Sequence, residues 1–423
     1  MASLIYKVKE VYVKYLPRHI EEQILESAKY FKAILLLGAR QVGKSTLLSH
    51  LFPDTKAFVF GPVQDVYKAR EDPDLFLSSF PAPLILDEVQ YAPELLAALK
   101  QKMDRSETKG QYFLTGSQNF SMLRTVAESM AGRVAIFHLD NFTPQETLGL
   151  GGGAGWLPQY LEDPRSFYKD RKSFPDNFYS LVEFLFRGTF PGTQELPTSQ
   201  IPRYFSSYLQ TYVDRDVRTM ENIQSLTEFD RFLGISAALT AQEINSSQIG
   251  REIGVSPQTA RRWLDLLHFS YQWFELFPYH GNTIKRISGK KKGYFKDSGF
   301  ACYLQAIESP ESLAKSPKLG FIFETWAVNY IHQQFATLSV PPKTYHWRTS
   351  GGAEVDLILE RSGKLYPIEM KCKTHLSRAD LSGLKAFRET YSKNEIMPGL
   401  VIYAGSECYQ LDENTLAIPW NLL

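Results

Sequence analysis

Between residues 20 and 145 the chain alternates short apolar runs with stretches whose apolar residues recur at helical spacing. The runs are Ala33 to Leu37, Ala57 to Phe60, Leu84 to Leu86, Tyr112 to Leu114 and Val134 to Leu139. A strand that is apolar on both faces must be covered on both faces, so this alternation predicts a parallel sheet with helices on either side. Gly149, Gly151, Gly152, Gly153 and Gly155 break the pattern and predict a flexible loop, followed by a proline- and aromatic-rich insertion to residue 180. From Leu181 to about Leu276 the spacing is helical and no strand is evident. Mixed α/β character returns with an amphipathic helix at Gly320 to Gln334 and strands at Tyr345 to Arg348, Glu354 to Leu359 and Leu365 to Lys371. The chain is therefore expected to be an α/β multidomain protein, divided into residues 1–180, 181–305 and 306–423.

The first chemistry lies where the first apolar run meets a helical segment. Gly38-Ala39-Arg40-Gln41-Val42-Gly43-Lys44-Ser45-Thr46 has the glycines, lysine and hydroxyls of a phosphate-binding loop between strand and helix. Gly38 and Gly43 let the backbone curl so that successive N–H groups face the phosphates, with the positive end of the helix dipole behind them. Lys44 reaches the terminal phosphates of a nucleoside triphosphate, and Ser45 supplies a magnesium ligand. Leu84-Ile85-Leu86-Asp87-Glu88 is a buried strand ending in two acids, with Asp87 expected on magnesium and Glu88 beside the attacking water. Tyr112 to Leu114 leads into Thr115-Gly116-Ser117-Gln118, where Ser117 and Gln118 are candidates to sense the γ-phosphate. Arg133 follows Gly132 and is either an arginine finger offered to a neighbouring subunit or the partner of a surface acid.

Two further regions carry charge in an ordered way. Ser247 to Ile253, a turn at Gly254-Val255 and Ser256 to Leu267 read as a helix-turn-helix, with Ser256 the cap and Pro257 the first helical residue. Ala260, Leu264 and Leu267 form its buried stripe, leaving Gln258, Thr259, Arg261 and Arg262 outward for phosphates and base edges. Lys285, Arg286, Lys290, Lys291, Lys292 and Lys296 follow without an intervening acid around Ser288-Gly289, and predict a basic β-hairpin that attracts a polyanion in a salt-dependent way. Near the C-terminus, a turn at Arg361 to Lys364 folds Asp356 back beside Glu369 and Lys371, which share a strand face at period two. With Glu324 on the preceding helix, Asp356 and Glu369 are candidates for a second magnesium site, with Lys371 stabilising a phosphoryl group. Tyr204 to Arg218, including Tyr208, Tyr212, Asp214, Arg215, Asp216 and Arg218, is expected to be structural, its acids paired with its arginines.

Composition adds bounds. A chain of 423 residues exceeds one compact core. With 47 basic and 46 acidic residues, only local clustering can argue for nucleic acid. Cys302, Cys372 and Cys408 have no metal-type spacing and suit a reducing compartment. No apolar run approaches a bilayer's thickness and the N-terminal segment lacks the core of a signal peptide, so a cytoplasmic protein without a membrane partner is expected.

Taken in order, Gly38 to Thr46, Asp87-Glu88, Thr115 to Gln118, Ala131-Gly132-Arg133, Tyr212 to Asp216, Glu354-Val355-Asp356 and Ile368 to Lys371 resemble the prokaryotic AAA-type ATPases fused to a C-terminal winged helix and a restriction-endonuclease-like domain. Asp356, Glu369 and Lys371 look like that domain's PD-(D/E)xK signature. The resemblance implies ATP and Mg2+ as cofactors, DNA (branched DNA included) as partner, and a homo-oligomeric ring, a hexamer. Two alternatives stand beside a DNA motor: an ATP-switched DNA-binding regulator with an inactive nuclease fold, and a nucleotide switch that binds protein.

Overall fold

The computed structural model describes residues 15–117, 130, 132–153, 155–169, 173–175, 178–213, 217, 223 and 225–422. The five predicted apolar runs form β1 (Ala33–Leu37), β2 (Lys56–Val59), β3 (Leu84–Asp87), β4 (Tyr112–Gly116) and β5 (Val134–His138), all parallel, in the order β2-β3-β4-β1-β5. All five residues of β1 and of β4 are buried, as unbroken apolar sequence requires of central strands. Helix α1 (Lys44–Leu51) leaves the C-terminal end of β1. Parallel strands all point the same way, so the ends of β1, β3 and β4 converge on one edge, where open α/β sheets bind ligands.

The glycine-rich segment is packed, not loose. Gly151 passes so close to residue 17 that a Cβ there would lie 1.9 Å from the Pro17 carbonyl oxygen. The Gly153 carbonyl lies 2.6 Å from His19 Nδ1. The insertion beyond it, with α2 (Leu157–Glu162), belongs spatially to the C-terminal region, against the expected division at residue 180. The Tyr160 hydroxyl donates to the Pro398 carbonyl at 2.8 Å, the Tyr366 hydroxyl to that of Leu161 at 2.9 Å, and the Phe174 amide to that of Asn421 at 2.9 Å. Its aromatics Trp156, Tyr160, Phe167 and Phe174 join one continuous core that also holds the residues of the parallel sheet.

The middle region contains α3 (Leu181–Arg187), α4 (Ile201–Tyr212), α5 (Leu226–Ala238), β6 (Gln242–Glu243), α6 (Ser246–Ile253), α7 (Pro257–Phe269), β7 (Trp273–Pro278), α8 (Thr283–Ser288), β8 (Lys292–Phe295) and α9 (Ser298–Leu304). The helix-turn-helix stands as expected. Gly254 takes φ +81° at the turn, Ser256 accepts from the Thr259 amide, and Ala260, Leu264 and Leu267 are buried. The basic hairpin does not. Thr283–Ser288 is a helical turn capped by the Asn282 side chain, and the hairpin is made by β7 and β8 instead, with β6 on the other side of β8. Strand β7 has no clear signal in the sequence, because Trp273 to Phe277 is a short stretch, apolar but for Glu275, that periodicity cannot separate from helix.

Helix α10 (Leu319–Gln333), β9 (Lys343–Arg348), β10 (Glu354–Arg361), β11 (Lys364–Lys371), α11 (Ser382–Thr390), β12 (Glu395–Ile396), β13 (Gly399–Tyr403), β14 (Tyr409–Asp412) and β15 (Thr415–Pro419) follow. Strands β9, β10 and β11 are antiparallel neighbours, while β13 and β15 add in parallel. Helix α10 is buried nearly all round, from Ile322 through Ile331, rather than amphipathic, because the sheet covers one side and α3 and α9 the others. The hairpin sheet is continuous with this one: β7 pairs with β9 at Phe277↔Tyr345 and Pro278↔His346. The expected border at residues 305 and 306 thus crosses a single ten-stranded sheet.

Candidate functional site

The loop from Gly38 to Thr46 turns over the end of β1. Gly38 has φ +154° and a Cβ there would lie 2.2 Å from the Leu139 carbonyl oxygen, so the loop closes against the β5 exit only with glycine. Gly43 caps α1 at φ +94° with no side-chain cap, which leaves the first amides of the helix facing the loop. Lys44 is 5% exposed and its ammonium donates to the Gly38 and Ala39 carbonyls at 3.0 and 2.8 Å, folded into the cradle. Three contacts hold the loop from outside. Arg18 donates to the Val42 carbonyl at 2.9 Å, Arg40 to the Tyr91 hydroxyl at 2.8 Å, and the Tyr204 hydroxyl of α4 to Gln41 Oε1 at 2.8 Å. Arg18 and Tyr204 carry no sequence signal, because their partners lie far along the chain.

Asp87, at the tip of β3, is buried and accepts from two hydroxyls: Ser45 at 2.7 Å and Thr115. Ser45 and Asp87 therefore bring a hydroxyl and a carboxylate oxygen together beside the cradle, a donor set that suits Mg2+. Glu88 is half-buried with φ +56°. Its amide donates to Thr115 Oγ1 at 2.9 Å, and its carboxylate accepts from Gln90, whose amide also reaches Ser117 at 3.0 Å. Ser117 thus sits in the site as expected, but through Gln90, and Thr115 is a ligand-orienting residue that the strand reading passed over. Gln118 lies outside the described residues, as do Asp214, Arg215, Asp216 and Arg218.

The second cluster forms where β10, β11, α10 and β8 meet. Leu357 pairs with Ile368, so Asp356 and Glu369 are neighbours across the hairpin. Asp356 Oδ2 accepts from the Met370 amide at 2.9 Å, and Lys371 pairs with Glu369 along β11. The unexpected member is Lys292. It is 8% exposed and places its ammonium 2.5 Å from Glu324 Oε1 and 3.2 Å from Asp356 Oδ1. Tyr294 donates to the same Glu324 oxygen at 2.7 Å. Burial, then the charge of Asp356, pushes Glu324 up to about 7 against the pull of Lys292. The same two causes hold Glu369 well above the usual carboxylate range. The expected assignment of Asp356 and Glu369 as metal ligands is not met: Lys292 bridges Asp356 and Glu324, Lys371 pairs with Glu369, and among the described residues no three His, Cys, Asp or Glu side chains are arranged to hold a metal ion. The residues do not fit a divalent ion here.

Residues 30–148 match the family model of an AAA domain. This part of the chain is an AAA-type P-loop ATPase domain. Residues 179–311 match a domain of unknown function, DUF8612, and residues 319–423 another, DUF4143. Uncharacterized proteins of Mycobacterium bovis and Mycobacterium tuberculosis are each 26% identical over 387 residues, covering 91% of this chain and 79% of theirs. Among solved structures, a Walker-type ATPase of Pyrococcus abyssi is similar over 69% of this chain and 99% of its own, with 14% identity and a TM-score of 0.39. The Thermotoga maritima RuvB Holliday junction branch migration motor is similar over 62% and 90%, with 17% identity and a TM-score of 0.31.

Within the AAA domain, Arg133 precedes β5 at the end of the sheet away from the phosphate loop and pairs with Asp104 at 2.5 Å, as the surface-acid reading has it. The domain's exit is tied to everything that follows. Arg18 also donates to the Asp140 carbonyl at 2.6 Å, Lys296 pairs with Asp140 at 3.2 Å, and Asp297 accepts from Asn141 at 3.2 Å and from the Thr189 amide at 2.7 Å. A chain of buried and partly buried contacts therefore runs from the phosphate loop to the end of β8. Most of the expected basic face is spent internally. Arg261 pairs with Asp265 and Glu275, Lys291 with Glu275, Arg286 with Glu360 while lying over Tyr279, and Lys292 is buried as described. Lys290 is exposed, 3.7 Å from Glu243. Gln258, Arg262 and Lys285 are exposed, while Thr259 is half-buried and bonds Ser256 at 3.0 Å. Among the described residues no helix is long and apolar enough to cross a membrane.

Proposed function

We propose that this chain is a Mg2+-dependent, ring-forming ATPase that binds DNA through its middle region and transmits the nucleotide state to it through the Arg18–Asp140–Lys296 contacts. The observation that carries the reading is the convergence of Lys44, Ser45, Asp87, Thr115 and Glu88 at one edge of the parallel sheet. Lys44 and the first amides of α1 bind and orient the phosphates. Ser45 and Asp87 would hold Mg2+, which supplies charge neutralisation at the phosphates when bound. Glu88 accepts the proton of the attacking water, and Gln90 links its orientation to Ser117, just past the end of β4. Glu88→Gln is expected to keep nucleotide affinity and lose turnover by about 10²–10⁴-fold, in line with general-base contributions; binding by titration and phosphate release measured together check it.

The DNA half of the reading is supported by the element order α5-β6-α6-α7-β7-α8-β8, that of a winged helix with the short α8 inserted between the wing strands, and by the exposure of Gln258 and Arg262 on α7. The order α10-β9-β10-β11-α11-β12-β13, in which the two-residue β12 lies beside β11, supports a restriction-endonuclease-like fold for the C-terminal region. ATP turnover measured with and without linear, single-stranded and branched DNA tests the proposal: stimulation is expected, and absence of both stimulation and low-salt DNA binding refutes it. Light scattering with and without ATP tests the ring. For the contacts, Lys285→Ala is expected to lower the salt slope of DNA affinity by about 0.9, the value for one phosphate contact, whereas Lys291→Ala leaves it unchanged because Glu275 already holds that ammonium. One observation favours a second reading, the nucleotide-switched regulator with a non-cleaving C-terminal region: the place of Lys292 among the carboxylates.

A further inference from the structure

Lys292 reaches the carboxylate cluster from a different module. Glu324 is on α10, while Asp356 and Glu369 are on the β10–β11 hairpin; the lysine arrives on β8, all four of whose residues are buried. Its ammonium contacts Glu324 and Asp356 at once. The remaining capacity of the cluster is largely taken by Tyr294 on Glu324, the Met370 amide on Asp356 and Lys371 on Glu369. Glu369 Oε2 is buried without a partner. Lys292 and Tyr294 both meet Glu324 at Oε1, so Glu324 Oε2 and Glu369 Oε2 are the oxygens left over, poor provision for a cation that binds several oxygens. The lysine's backbone is anchored in a strand paired on both sides, by β7 and by β6, which delivers the ammonium to the cluster from the hairpin.

We propose that Lys292 is the resident cation of this cluster, taking the place of a divalent ion, so that the C-terminal region clasps the β7–β8 hairpin and does not cleave phosphodiester bonds. A divalent ion drawn to Glu324 and Asp356 would meet the repulsion of an ammonium already in contact with both, and the covalently held cation has no translational entropy to lose. A buried lysine of this kind is stabilised only by complementary acids, and here they are Glu324 and Asp356. The inference concerns the cluster alone and stands or falls separately from ATP hydrolysis.

The test is Mn2+ titration of the nucleotide-free full-length protein, followed by electron paramagnetic resonance of the free ion, together with nicking assays on supercoiled and branched DNA. Wild type and Glu369→Gln are expected to bind Mn2+ within about twofold of each other, against the tenfold that 1.4 kcal/mol would give, and neither to nick DNA in Mn2+ or Mg2+. Lys292→Ala is expected to gain Mn2+ affinity by about tenfold or more, a gain absent from the Lys292→Ala/Glu369→Gln double variant. A wild-type Mn2+ site that Glu369→Gln loses, nicking that depends on Glu369, or a folded Lys292→Ala with no gain each overturns the proposal. Should Lys292→Ala fail to fold, the comparison of wild type with Glu369→Gln decides alone.

Discussion

Lys44→Ala is expected to abolish ATP turnover, by at least the roughly 10²–10³-fold that follows removal of a single preorganised charge-stabilising group. The ammonium is buried in the loop and has the Gly38 and Ala39 carbonyls as partners, which orient it without neutralising it. Alanine removes the positive charge that Lys44 holds inside the loop while the glycine-bent backbone, held by Arg18 at Val42 and by Tyr204 at Gln41, remains. Circular dichroism should therefore be unchanged while phosphate release falls to background. Hydrolysis at the wild-type rate would mean that the nucleotide site lies elsewhere.

The largest effect on stability is expected at Lys292. Lys292→Met keeps the apolar stem but leaves Glu324 and Asp356 without their shared cation, and breaking a buried pair in this way costs about 3–5 kcal/mol. Adding Glu324→Gln should recover part of the loss, since the penalty comes from uncompensated charge and not from lost packing. The sign of the pH dependence follows from Glu324, whose folded value of about 7 lies above its ordinary 4.5. A raised carboxyl favours the folded state most fully below 4.5 and loses that contribution as pH rises through its folded value. Without Lys292 the folded value moves further up, so the deficit of Lys292→Met is expected to be smaller at pH 5 than at pH 8. Denaturant unfolding followed by tryptophan fluorescence, with Trp326 on α10 and Trp347 on β9 as near reporters, measures both points. The exposed pair of Lys29 with Glu26 is the control, and Lys29→Ala should leave the transition where it is.

Much of the fold was legible because the local rules it follows are strong. Short apolar runs fall on the strands of the parallel sheet, and Ser256-Pro257 opens α7 with the cap accepting from Thr259. Gly38 and Gly43 stand where backbone closure and a left-handed cap demand them. Strand β7 was not legible, since Trp273 to Phe277 is too short for period to separate helix from strand. The glycine-rich segment was read as loose because glycine permits both a flexible loop and a close approach, and only the neighbour at Pro17 tells them apart.

The basic run from Lys285 to Lys292 shows where sequence reasoning stops. Consecutive lysines without an acid among them suggest a solvated face, yet the acids that claim them are distant in sequence: Asp356 is 64 positions from Lys292, Glu360 is 74 from Arg286 and Glu275 is 16 from Lys291. The amino-acid order by itself determined the phosphate loop, the sheet that carries it and the two hairpin carboxylates, since each depends on neighbours a few residues away and on backbone geometry those neighbours impose. Tertiary structure alone decided which charges meet. A lysine is buried or exposed according to whether folding brings a carboxylate to it, and that pairing is set by the packing of whole strands and helices, not by the residues beside it in the chain.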